Sequence, residues 1–166
     1  MKKIIIAIAL VAITISLSAQ EQTRPHVAVG AGLGFYGPAY QTDSHPDLHL
    51  GVEYQFPVGI RAGVTAGWLH RRLAGDAVYN DYNVALRGSL YIKRLTGKND
   101  PRWDFYAGSA LGLHLMHHST LGSTRPQFYV PVFVGTEWRF APSWHLRAEV
   151  AYNDVGLMKI GLLRDF

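Results

Sequence analysis

The stretch "LHLMHHST" (113–120) gathers the residue types that could do chemistry. His117 and Ser119 stand two apart, so on a strand they share a face. A serine hydroxyl becomes a nucleophile when an imidazole lies within hydrogen-bond reach and donors await the oxyanion. Glu137 or Glu149 could orient that imidazole. The plainer reading of the same residues is a polar rim at the mouth of a loop. His114 and His118 fall on the face opposite His117. Together with His45 and His49 they could approach a Zn²⁺ or Cu²⁺ site, although two strand histidines fall short of a ligand set. "GAGLG" (30–34) has the glycines of a phosphate loop, but no helix and no Lys-Ser/Thr pair follow it, so no cofactor is expected.

Such residues act only where a scaffold places them. The chain has 166 residues, enough for one domain, and no cysteine. Disulfides, thiolate metal sites and a cysteine nucleophile are therefore excluded. Formal charge is +4, and Lys2 and Lys3 supply half of it. No basic run remains to carry nucleic-acid binding. Residues 1–19, "MKKIIIAIALVAITISLSA", have two lysines, a short apolar core from Ile4 to Ile15 and small residues around Ser18 and Ala19. This is the pattern of a secretory signal peptide for the Sec pathway, and the apolar core is short for a membrane span. Residues 20–166 form the expected mature domain.

That domain alternates with period 2 nearly throughout and shows no helical period. The pattern predicts eight strands, at 26–36, 47–56, 59–70, 80–93, 102–116, 127–140, 144–152 and 156–166. Tight connections such as "FPVG" (56–59) and "FAPSW" (140–144) alternate with longer ones such as "GPAYQTDSHP" (37–46) and "HHSTLGSTRP" (117–126). An even strand number with two unlike ends predicts an all-β, eight-stranded antiparallel up-and-down barrel.

A soluble barrel would turn its apolar face inward around a ligand, and a transmembrane barrel would turn it outward. The other face decides between them. It holds ten of the seventeen glycines, among them Gly30, Gly63, Gly112 and Gly135. It also holds Glu53, Arg61, Arg87, Lys93, Glu137, Arg139, Arg147, Glu149 and Lys159. A water-facing sheet gains nothing from glycine. A narrow lumen needs it, because long charged side chains require small neighbours there. The charges are therefore expected to form a lumen network. Eight strands leave room for side chains and little else, so a salt-bridged plug is favoured over a conducting path. Aromatic residues gather towards both strand ends (Tyr54, Phe56, Trp103, Trp138, Phe140, Trp144 and Phe166 at one), as two girdles of a membrane barrel would.

The last strand, "GLMKIGLLRDF", sets Met158, Ile160, Leu162 and Phe166 on one face and ends on an aromatic. In this ending and in its whole mature pattern the chain resembles the small eight-stranded bacterial outer-membrane barrels of the OmpA/OmpX type. The resemblance implies an assembly signal at Met158, Ile160, Leu162 and Phe166, read by the barrel-assembly machinery. Arg164 departs from it, since an apolar residue is usual there. The resemblance also implies residence among outer-membrane lipid and lipopolysaccharide, with longer loops outside the cell and tight turns in the periplasm. Some barrels of this kind are lipid A deacylases with a His-x-Ser pair, but the Asn that follows their Ser is absent from "HHSTLG". The expectation is a monomeric, non-enzymatic structural or surface-interaction barrel. The alternatives are a lipid A-modifying hydrolase, a small-solute pore and a secreted lipocalin-like barrel.

Overall fold

The computed structural model describes residues 26–35, 46–57, 59–72, 78–92, 102–119, 122–154 and 157–166. The expected signal peptide, His45 and Lys93 lie outside them. The alternating segments become strands β1 (His26–Phe35), β2 (Asp47–Gln55), β3 (Ile60–Arg72), β4 (Val78–Tyr91), β5 (Trp103–His118), β6 (Ser123–Tyr129), β7 (Val132–Ala141), β8 (Trp144–Tyr152) and β9 (Met158–Asp165).

β6 and β7 are two halves of one barrel strand. Both pair with β5 in a single continuous register, from Gly112↔Tyr129 to Ser109↔Val132. Pro131 separates them: it accepts from the Ala110 N–H at 3.1 Å and has no N–H to return. The sheet thus has eight strands, all antiparallel. It closes through β1–β9 on one side and β4–β5 on the other. Cross-strand partners followed from Phe35 run through Met158, Val150, Val134, Ala107, Leu90 and Ile60. They arrive beside Phe56, one residue from the partner of His26 at the far end of β1. That stagger is the strand tilt that closing a barrel requires.

The apolar face is outside. Leu50, Val84, Leu86, Leu111, Val134 and Ile160 are exposed, whereas Glu53, Arg61, Glu137 and Glu149 are buried. Leu163 breaks the alternation of the last strand because it points inward and packs over Gly30. The interior has two layers. Tyr91, Tyr106, Phe133 and Ala151 pack together towards the tight-turn end, and Leu69, Ala85 and Tyr129 towards the loop end. Glycine makes the first layer possible. A Cβ at Gly135 would collide with the Tyr106 ring, and one at Gly63 with Glu53.

Most strand bounds follow the hydrophobic period. The main difference is at 117–126, read from sequence as a loop. Here β5 runs on to His118 and β6 begins at Ser123, joined by a turn at Gly122 with φ +61°. Both faces of this hairpin are polar, so no hydrophobic alternation marks it.

Candidate functional site

The lumen charges meet around Arg147 of β8. Its guanidinium donates to both oxygens of Glu53 (2.8 and 2.7 Å) and, from Nη2 and Nε, to Glu137 Oε1 (2.7 and 2.9 Å). Arg61 donates from Nη1 to the same Glu137 oxygen at 3.0 Å and from Nε to Gln55 at 3.0 Å. Arg87 binds Glu149 at 2.6 Å and approaches Glu53 at 3.1 Å. Three arginines and three glutamates therefore form one formally neutral cluster, drawn from β2, β3, β4, β7 and β8. Bidentate guanidinium–carboxylate pairs of this kind are the strong form of the interaction.

Aromatic residues complete the cluster. The Tyr91 hydroxyl donates to Glu137 at 2.7 Å and the Tyr106 hydroxyl to Glu149 at 3.0 Å. The guanidinium of Arg61 lies over the Tyr91 ring at 4.8 Å, and that of Arg87 over Phe133 at 4.1 Å. Residue type alone does not single out either tyrosine. Strand parity held the signal, since Tyr91 continues the inward row Asp81, Asn83, Ala85, Arg87, Ser89. Small residues on the β1–β9 side leave a cavity of about 30 Å³ beside the cluster, lined by Gly30, Gly51 and Gly161. That is room for one or two waters.

Two of the expected network residues stand apart. Lys159 turns towards the loop end and binds Asp154 at 2.6 Å. Arg139 shares the lumen parity but is exposed at the end of β7, where the β7–β8 register shifts between Arg139 and Ala141. It sits at the mouth and takes no place in the buried cluster. A smaller group was not anticipated: at the tight-turn mouth, Asp165 Oδ2 lies 3.2 Å from His26 Nε2 and 2.9 Å from His145 Nε2. It spans β1, β9 and β8 at the closing seam.

The histidine-rich stretch lies at the other end of the barrel. His70, Asn80, His117 and Thr124 are successive cross-strand partners over β3, β4, β5 and β6. His70 meets Asn80 at 3.0 Å, His117 meets Thr124 at 3.0 Å, and Asn80 donates to Ser119 at 3.0 Å. His117 and Ser119 thus belong to a hydrogen-bonded polar strip on the outer surface. Glu137 pairs with Asp104 on β5, thirteen residues before His117. At about 3.4 Å per residue, roughly 40 Å separates them. Glu149, level with Tyr106 on β5 through Gly135, lies in the buried lumen cluster, while His117 stands on the outer face. His114 faces Asp81 at 3.7 Å, and His118 packs on the Tyr79 ring. Among the described residues no group of three or more His, Cys, Asp or Glu could hold a metal ion. Met158, Ile160, Leu162 and Phe166 all stand on the exposed outer face.

No protein-family model matches the chain, and no curated protein does. Solved structures do. Neisserial surface protein A superposes with a TM-score of 0.63 at 15% identity, over 86% of this chain and 97% of that one. The Yersinia pestis outer membrane protein Ail gives 0.56 at 13% identity, over 86% and 100%. The N-terminal β-barrel domain of Pseudomonas aeruginosa OprF gives 0.56 at 11%, over 87% and 100%. The fold is that of the small eight-stranded outer-membrane barrels.

Proposed function

We propose that this chain is an integral outer-membrane barrel whose role is structural or surface-interactive, with a plugged lumen and its contact surface at the loop end. The observation that carries this reading is the β5–β6 hairpin. β8 ends at Tyr152, the partner of Val132, while β5 and β6 continue to His118 and Ser123. Among the described residues β6 pairs with β5 alone. Its free edge is blunted by Pro126, which cannot donate, so side chains rather than strand addition make the contact. The neutral Arg–Glu cluster favours a plug over a channel. The polar strip through His70, Asn80, His117 and Thr124 sits where lipopolysaccharide headgroups would meet the wall.

The test uses the absence of native cysteine. Thr124→Cys on the hairpin and Pro142→Cys in the β7–β8 turn each give one thiol. On intact cells a membrane-impermeant maleimide should label the first and spare the second. Labelling of Pro142→Cys instead would invert the topology, and a barrel found soluble in the periplasm would end the membrane reading.

A further inference from the structure

The last strand carries one charge on the face that otherwise meets lipid. Arg164 is exposed between Leu162 and Phe166, where the outer face is apolar in every neighbouring position. Its cross-strand partners are Trp144 on β8 and Val29 on β1. The guanidinium carbon stands 4.8 Å from the Phe166 ring centre and 5.5 Å from that of Trp144. Two rings hold it in place, and neither neutralises it. The adjacent Asp165 points the other way, into the mouth, towards His26 and His145. Among the described residues no carboxylate pairs with Arg164.

A guanidinium on the hydrocarbon-facing wall is costly unless it lies at the polar boundary and finds an anion there. Arg164 meets the first condition, being level with the aromatic girdle of Trp138, Phe140, Trp144 and Phe166. Its forked donors suit the oxygens of a phosphate. Below it, Leu162, Leu146 and Val29 offer an apolar track for acyl chains.

We propose that Arg164, framed by Trp144 and Phe166, is a binding site for the phosphate of an anionic phospholipid in the leaflet at the tight-turn end. The site rests on the membrane-barrel reading. A zwitterionic phospholipid fits less well, because its own ammonium competes for the phosphate.

The test is lipid retention by the refolded barrel. Mature protein is folded into vesicles of equal phosphatidylglycerol and phosphatidylcholine, then extracted mildly, and the retained lipid is counted by native mass spectrometry. Folding is checked in the same samples by the shift of the band in SDS gels on boiling. The wild type should retain phosphatidylglycerol over phosphatidylcholine by about threefold or more, the scale of a partly exposed ion pair. Arg164→Gln should retain both equally, Arg164→Lys should keep part of the preference, and Trp144→Leu should weaken it. A folded wild type without preference, or an Arg164→Gln barrel with the full preference, overturns the site. A wild type that never shows the heat-dependent band removes the membrane reading and the site together, an outcome distinct from a folded barrel lacking selectivity.

Discussion

Arg147 binds Glu53 and Glu137 most closely, at 2.7 Å each, and Arg61 spans the same two carboxylates at 3.6 and 3.0 Å. Buried ion pairs contribute little net stability against well-packed apolar substitutes, but removing one partner strands the other. The Arg87–Glu149 pair separates these two effects. Arg87→Met alone leaves Glu149 facing the Tyr106 hydroxyl without its guanidinium, and should cost about 3–5 kcal/mol. Arg87→Met with Glu149→Gln should recover part of that loss. Urea unfolding of the refolded barrel, followed by tryptophan fluorescence, measures both. A double variant no better than the single would mean that Arg87 acts through Glu53 and its packing on Phe133 and not through Glu149. Glycine gives a second contrast. A Cβ at Gly88 meets nothing within 4 Å, so Gly88→Val should fold normally, while Gly135→Val should not close. Folding yield judged by the heat-dependent gel shift compares them. At the outer strip, His117→Ala and Ser119→Ala should leave lipid A acylation unchanged in cells that express the protein. Loss of an acyl chain that depends on either residue would restore the hydrolase.

At the level of elements, the hydrophobic period exposed most of the fold. β1, β2 and β8 alternate apolar and small or charged residues without interruption, β9 does so except at Leu163 and Arg164, and a one-residue slip in any of them would bury Leu or Val among arginines. The inward charges were legible for the same reason. What the period could not mark was the β5–β6 extension, where polar residues on both faces erase the contrast. It also could not say which charges share a partner. Lys159 follows the parity of Glu149, its cross-strand neighbour, yet its amine reaches Asp154. Parity assigns a face, and only the height of each residue along the tilted strand assigns a contact. This is also why Glu137 looked available to His117 from sequence. The hairpin is outside the closed wall, so replacing residues 117–124 with a short turn should leave the barrel intact. The shortened chain should still run as a compact band in cold SDS while losing the Thr124 labelling site. Failure to close would show that the extension guides the pairing of β4, β5 and β7.

For the whole molecule, an apolar outside and a charged inside are compatible with one solvent arrangement: lipid around the wall. Cold SDS should leave the barrel folded and boiling should unfold it, giving a band shift confined to the outer-membrane fraction. On the proposed plug, planar bilayers with verified insertion should stay near silent. Steady conductance that changes with Arg87→Met would favour the pore.

The position of that cluster also dictates an order of assembly. Glu53 and Arg147 belong to β2 and β8, which meet only by way of β1 and β9. In a flat sheet at about 4.8 Å per strand they would be roughly 14 Å apart, beyond any direct bond; Arg147 would keep Glu137 on the adjacent β7, and Glu53 would keep Arg61 on the adjacent β3. Curling therefore has to come before the bond between Glu53 and Arg147 can form. A chain that bends while its lumen is still wet carries the whole cluster across already joined.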